Sequence, residues 1–308
     1  MEIITNTVEF QLDKDTAAAL GKFDGIHIGH RRLLQEILSR KAQGLAACVF
    51  TFEPSPQIFF GGSDGKVLST RDEKRAVFEK LGVDILIEFP LNKDTAGMEP
   101  ETFAREILSK RMHVKYLAAG NDLSFGAKGA GNAQLLHDMA SELGFETETI
   151  DKVYLDDVQV SSTRLRECVE RGDMDLAKRL LGTPYMISGK VVGGNRIGRT
   201  IGFPTINVVP EKCKLIPPCG VYFSEVLWNG KMYPAISNVG YKPTVTEERR
   251  LGVETYLYDF DQMIYDEDVE VYLCKFYREE RKFMNLEALR EQLDLDVETG
   301  RLYFEVKS

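Results

Sequence analysis

Up to about residue 180, short apolar runs alternate with stretches whose apolar positions recur every three or four residues. TAAALG precedes IGHRRLLQEILSRKA, LAACVFTF precedes RDEKRAVFEKLG, DILIEF precedes PETFAREILSKRM, and VKYLAAG precedes NAQLLHDMASELG. Continuous apolar runs of this length are strands buried on both faces, and the helical period marks amphipathic helices. Their alternation predicts an α/β domain, a parallel sheet with helices on each side. Thr70 with Glu73 three residues on is a capping box, which places a helix start there. Such sheets bind ligands beyond the carboxyl ends of their strands, so the first strand-to-helix loop is the place to look for chemistry.

After MDLAKRLLGTP the texture changes to β-type runs separated by Gly, Pro, Asn and Asp: MISGKVVGG, TINVV, GVYFSEVLW, KMYPAISNVG, VETYLYDF and DVEVYLCKFY. Asn229-Gly230 between two of them is a two-residue hairpin signal. Six closely spaced strands predict an all-β part, a small antiparallel barrel, ended by an amphipathic helix in NLEALREQLDLD. The boundary falls between Gly182 and Tyr185, giving domains 1–183 and 184–308. A length of 308 residues suits two such domains, each with its own core.

Charge removes several function classes. The formal net charge is −9, with 23 Lys+Arg against 29 Asp+Glu up to residue 183 and 16 against 19 after it. Neither half offers the basic field that nucleic acid or an anionic membrane requires, although small phosphorylated ligands can be held by local backbone amides. The five cysteines are scattered and never form CxxC, which argues against a disulfide scaffold or a structural zinc site. The N-terminus lacks a signal-peptide pattern and no run reaches the ~18 apolar residues of a membrane span, so the chain reads as soluble and cytoplasmic.

The strongest local motif is GKFDGIHIGH at 21–30, where the first strand gives way to the first helix. Gly21 and Gly25 let the backbone turn and approach a ligand closely, and a helix beginning near Ile28 presents free amides to a phosphate. His27 and His30, three apart, can face the same point and donate hydrogen bonds to the charge that develops on a triphosphate attacked at its α-phosphorus. A metal pair is the alternative, but zinc would need further ligands, and His113 and His137 sit in unrelated contexts. Three more loops fall at strand ends or helix starts: TFEPSP, GNDLSFGAKGAG and VSSTRLRE. Ser161, Ser162 and Thr163 can cap a helix while Arg164 or Arg166 neutralises phosphate oxygens. The chain has no GxxxxGK[ST], which excludes a P-loop, and GGNRIG does not satisfy GxGxxG.

A second concentration of chemistry is GKVVGGNRIGRTIGFPTINV at 189–208. Gly193 and its neighbouring glycines can form a flap over phosphates, with Arg196 or Arg199 adding charge, or can simply turn a barrel corner. Thr205 and Asn207 share one face of a strand, where two neutral oxygens can contact a hydrated Mg²⁺ and its phosphates. Glu254 stands on a strand amid apolar residues, either as an exposed glutamate or as a general base for a hydroxyl. FYREERKF reads as a solvated strand end, and Trp228 beside the hairpin reads as packing.

With both sets of residues in view, the chain resembles the bacterial bifunctional riboflavin kinase/FAD synthetase family along essentially its whole length. The resemblance rests on the ordered series GKFDGIHIGH, TFEPSP, GNDLSFG, VSSTRLR, GRTIGFPTIN, SNVGYKPTV, VETYLYDF and FYREERKF. It implies a Rossmann-like HxGH nucleotidyltransferase domain that transfers AMP from ATP to FMN, releasing pyrophosphate. A six-stranded antiparallel β-barrel with a C-terminal helix would phosphorylate riboflavin with ATP. By the same resemblance His27 and His30 stabilise the ATP phosphates, while Gly21, Phe23, Asp24, Gly25, Asp122, Ser162, Thr163 and Arg166 complete that pocket. In the barrel, Thr205 and Asn207 would hold Mg-ATP and Glu254 would activate the riboflavin 5′-hydroxyl.

Three positions depart from the family pattern. Ser55 stands where the family has His, Leu123 where it has an aromatic, and Ile206 where it has Ala. The first two fall at the adenylyltransferase site, so one alternative is a riboflavin kinase whose adenylyltransferase half is impaired. Ile206 changes the strand face opposite Thr205 and Asn207 and should leave the metal side alone. An RNA-linked HxGH enzyme would need a KMSKS-like loop and a basic surface, and the chain has neither. A flavin-binding regulator would have lost the reactive residues, which are all present. Self-association is left open.

Overall fold

In the computed structural model, which describes residues 1–62, 64–194, 197–243 and 249–305, the chain divides into two compact units. One comprises Met1–Val67 with Lys74–Ser162, the other Leu68–Glu73 with Thr163–Ser308. In the first unit, β1 (Glu2–Thr5), β2 (Thr16–Leu20), β3 (Ala46–Glu53), β4 (Ile85–Pro90), β5 (Val114–Gly120) and β6 (Glu146–Ile150) form a parallel sheet in the order β1-β4-β3-β2-β5-β6. The central strand is Thr-Ala-Ala-Ala-Leu, buried throughout, and its methyl side chains let helices pack closely on both faces. Leu33, Leu34 and Ile37 of the helix Ile28–Ser39, with Phe78, cover Ala17, Ala19, Val49 and Leu86. On the opposite face Phe103, Ile107, Leu108, Leu136 and Met139 cover Ala18, Leu20, Phe50 and Ile87. The sequence predicts the four inner strands. The edge strands β1 and β6 escape that pattern because one is half-exposed and the other alternates polar residues. Chain order reverses between β2 and β5, whose following helices leave toward opposite faces, so the loops after these two strands flank a crevice.

A two-stranded ribbon, β7 (Tyr154–Leu155) with β8 (Val158–Gln159), completes the first unit. In the second, β9 (Tyr185–Val192), β10 (Ile206–Val208), β11 (Gly220–Trp228), β12 (Lys231–Pro243), β13 (Arg249–Leu257) and β14 (Asp268–Arg278) close an antiparallel barrel in the order β10-β13-β12-β11-β14-β9. All six predicted strands are present, and Asn229 (φ 47°) with Gly230 (φ 74°) makes the predicted hairpin turn. Inside the barrel runs a chain of hydroxyls, Ser224 to Ser237 and Ser237 to Thr255, each at 2.7 Å and fully buried. Each hydroxyl satisfies the next, which is how polar atoms survive in a core. Outside the barrel, Val221, Phe223 and Ile236 are covered by Val297, Tyr303 and Phe304 of the helix Leu286–Glu305, which runs further than predicted. Arg278 Nε donates to the buried Asp296 at 3.0 Å and anchors that helix.

The capping box forms as predicted: Thr70 N donates to Glu73 Oε2 at 2.9 Å and Glu73 N to Thr70 Oγ1 at 3.3 Å. Glu73 does more than cap. It is 1% exposed, accepts from Ser188 N at 3.0 Å and pairs with Lys214 Nζ at 2.6 Å. Lys214, 2% exposed, also donates to Leu68 O at 2.6 Å and lies 4.2 Å above the Tyr185 ring. These partners, more than a hundred residues away, tie the segment 68–73 to the barrel.

Candidate active sites

His27 is the N-cap of the helix Ile28–Ser39, and its Nδ1 accepts the backbone N–H of His30 at 3.3 Å. That bond uses the unprotonated nitrogen and leaves the proton on Nε2, the tautomer that presents a donor outward. The His27 and His30 rings stack at 3.7 Å, inclined by 11°. Phe23, fully buried at φ 49°, packs 5.2 Å from His30 and edge-on to Phe78. A Cβ on Gly21 would press on the Phe23 ring at 3.0 Å, and Gly25 takes φ 83°, a conformation that favours glycine. Gly29, the glycine of HxGH that the sequence reading passed over, has a sharper role. A Cβ on it would lie 3.1 Å from His27 Nδ1, so a side chain there would crowd the His27 ring where it folds back over the helix start.

Burial lowers the His27 pKa to about 4 against the opposing pull of its backbone hydrogen bond and of Asp122. His30 is pushed well below the usual imidazole value, by burial first and by His27 second, and its Nδ1 is buried without a hydrogen-bond partner among the described residues. Both imidazoles are therefore neutral near pH 7, and act as hydrogen-bond donors rather than cations. Asp122 follows β5 across the crevice and pairs with Lys152 at 3.6 Å. Ser162 Oγ donates to Asp24 O at 2.7 Å, fastening the 21–25 loop rather than capping its own helix with that hydroxyl. Thr163 and Arg166 lie on the helix Ser162–Arg171, whose residues from 163 onward group with the second unit. Ser55 begins the short helix Pro56–Phe59 without a side-chain capping bond, and Leu123 packs against the core. Among the described residues no three His, Cys, Asp or Glu side chains gather as metal ligands would.

The second site lies on the outer face of the barrel. Thr205 Oγ1 donates to Glu254 Oε1 at 2.7 Å, and Asn207 stands directly opposite Glu254 in the β10–β13 register. Glu254 is thus held by a specific donor, not an isolated strand glutamate. Ile206 is buried on the other face, opposite Thr255, as its position between Thr205 and Asn207 predicts. A Cβ on Gly194 would lie 2.5 Å from Asn207 Nδ2, whereas one on Gly193 would meet nothing within 4 Å. Gly194 therefore leaves no room for a side chain beside Asn207, whereas Gly193 does. Arg196 lies outside the described residues, and Arg199 is described by its backbone alone, in the turn Ile197–Thr200. A cavity of about 300 Å³ adjoins Thr205 and Asn207 and is also lined by Phe260, Gln262, Met263 and Tyr265, none of which the sequence singled out.

The FYREERKF segment is more than a solvated strand end, since Arg278 is bonded to Asp296 and Glu280 Oε1 accepts from Asn238 Nδ2 at 2.9 Å. Trp228 packs on Phe260 and Tyr233, in keeping with a packing role.

The FAD synthetase family model matches residues 9–164 and the riboflavin kinase family model residues 181–304. A bifunctional riboflavin kinase/FMN adenylyltransferase of Haemophilus influenzae is 36% identical over 94% of both chains. This chain belongs to the bifunctional riboflavin kinase/FMN adenylyltransferase family. The Escherichia coli K12 relative of the same name is also 36% identical, covering 92% of this chain and 91% of its own. A crystal structure from Streptococcus pneumoniae, described as a macrolide-efflux protein, superposes with a TM-score of 0.83 at 30% identity over 97% of this chain and 98% of its own. No described helix of the present chain is long and apolar enough to cross a membrane.

Proposed function

We infer that the chain converts riboflavin to FMN with ATP in its barrel and FMN to FAD with a second ATP at its HxGH loop. What supports the reading is that the stacked histidines of the HxGH loop lie in one unit and the Thr205–Glu254 hydrogen bond in the other, on a chain matched by both family models. The functional halves are 1–183 and 184–308, and the enzyme works in the cytoplasm.

In the barrel, Glu254 takes the proton of the riboflavin 5′-hydroxyl as that oxygen attacks the γ-phosphorus, and the bond to ADP breaks. The hydroxyl of Thr205 fixes the carboxylate for this task. Thr205 and Asn207 supply hard neutral oxygens beside a carboxylate, a donor set suited to a largely hydrated Mg²⁺. When bound, that ion neutralises charge on the transferring phosphoryl group. Gly193 and Arg199 belong to the flap over the phosphates.

At the HxGH loop, a phosphate oxygen of FMN attacks the α-phosphorus of ATP and pyrophosphate leaves. His27 and His30 donate hydrogen bonds to the phosphate oxygens as charge builds there, with no proton transfer required of either. Gly21, Phe23, Asp24 and Gly25 shape the pocket, and Asp122 and Ser162 complete it. The test is chromatographic analysis of products after incubation with MgATP and either riboflavin or FMN. FAD from both substrates supports two working sites. FMN without FAD from riboflavin would mean that Ser55 and Leu123 have silenced the first site.

A further inference from the structure

The register of the barrel puts Asn207 of β10, Glu254 of β13 and Asn238 of β12 directly opposite one another on three adjacent strands. Facing residues of neighbouring antiparallel strands share a side of the sheet, with Cβ atoms about 4.5–5.5 Å apart. Their flanking residues Ser237 and Thr255 point into the barrel, so this row faces outward. The site described above uses Asn207 and Glu254 and leaves Asn238 without a role.

Asn238 is held in one orientation. Its Nδ2 donates to Glu280 Oε1 at 2.9 Å, a bond to a carboxylate that the flipped amide could not make. The carboxylate has room because residue 240, on the same face of β12 two positions on, is glycine. A Cβ there would lie 2.1 Å from Glu280 Oε1 and 3.3 Å from Asn238 Nδ2. The two motifs SNVG and REE are therefore halves of one device, in which Gly240 leaves a notch, Glu280 fills it, and Asn238 is pinned with its carbonyl oxygen turned the other way.

We propose that Asn238 Oδ1 accepts a hydrogen bond from a hydroxyl of the substrate's sugar-alcohol chain, beside the hydroxyl that Glu254 deprotonates, with Glu280 as its positioning residue. This rests on the riboflavin kinase reading of the barrel. An acceptor backed by a carboxylate repels phosphate and welcomes an O–H donor. On the other side of Glu254, Thr205 and Asn207 border the cavity and suit the phosphoryl donor. The row thus gives the reaction a direction, with the nucleotide toward β10 and the polyol toward β12. Strands about 4.7–4.9 Å apart place Asn238 within reach of a hydroxyl a few carbons from the reacting one.

The experiment compares riboflavin with a flavin whose N10 chain is hydroxypentyl, carrying the terminal hydroxyl alone. Asn238→Ala should lower kcat/KM for riboflavin about tenfold, the worth of one hydrogen bond, and change it less than twofold for the hydroxypentyl flavin. KM for ATP should stay put. Glu280→Ala, which frees the amide to turn, should show the same substrate-dependent loss, and Glu280→Gln, whose side-chain carbonyl still accepts from Nδ2, should restore most of it. Equal losses on both flavins, or a raised KM for ATP, would overturn the proposal. Absence of any phosphorylated flavin with the unmodified enzyme would instead remove the kinase reading, and the proposal with it. Thermal unfolding of each variant separates misfolding from these outcomes, and Glu280→Ala compared with Glu280→Gln on the two flavins decides the matter if Asn238→Ala is unstable.

Discussion

Lys214 and Glu73 offer a stability test whose size follows from their surroundings. Both are almost fully buried and paired at 2.6 Å, and Glu73 also accepts from Thr70 N and Ser188 N. Removing one member of a buried pair typically costs 3–5 kcal/mol because the other charge stays behind unneutralised. The two single substitutions should not be equal. Glu73→Leu abandons a buried ammonium and two backbone donors at once, so about 4–5 kcal/mol is expected. Lys214→Met leaves a carboxylate that keeps both backbone N–H bonds, so about 2–3 kcal/mol is expected. In a unit of roughly 150 residues, where ~1 kcal/mol moves Tm by about 2–4 °C, these become drops of about 8–20 °C and about 4–12 °C. The assay is built in, because the chain's single tryptophan, Trp228, lies in this barrel and its fluorescence follows the unfolding of this unit. The double variant should lose clearly less than the sum of the singles. Shifts below about 2 °C for both singles, or strict additivity in the double, would refute a buried, coupled pair.

The other expectations concern the two sites. With the folded His27 pKa near 4 and the unfolded value near 6.5, the unfolded chain binds more protons between these limits. The histidine contribution to stability is therefore complete above about pH 6.5 and is lost as pH falls toward 4. Imidazole NMR should show His27 neutral from pH 8 to about pH 5; an apparent pKa above 6.5 would contradict the burial argument. Gly194→Ala should displace Asn207 and lower the rate of FMN formation by about 10²-fold, the scale of a lost positioning contact, with little change in Tm. Initial rates measured beside melting curves check it, and a rate within threefold of the unmodified enzyme would show that Asn207 has another place to go.

The sequence was most informative where the determinant is local. A run of alanines marked the central strand, Asn229-Gly230 marked a hairpin that the backbone angles confirm, and HxGH marked a helix start. It was least informative where one side chain answers another far away. Thr70 and Glu73 read as a cap, yet the greater part of Glu73's role is its tie to Ser188 and Lys214. Glu254 could be a lone strand glutamate until folding brings Thr205, 49 residues earlier, to its carboxylate. Glycines divide the same way, since density in sequence pointed to Gly193 while the contact belongs to Gly194. Edge strands such as Glu146–Ile150 carry no apolar run because only one partner strand defines them.

The most direct test of the central claim follows two phosphorus atoms of ATP separately. With γ-labelled ATP, riboflavin should acquire label as FMN; with α-labelled ATP, FMN should acquire label as FAD. Glu254→Gln should abolish the first transfer and spare the second, and His30→Ala should do the reverse. Either folded variant losing both transfers would contradict two independent sites on one chain, and so would α-label reaching flavin at an undiminished rate in His30→Ala.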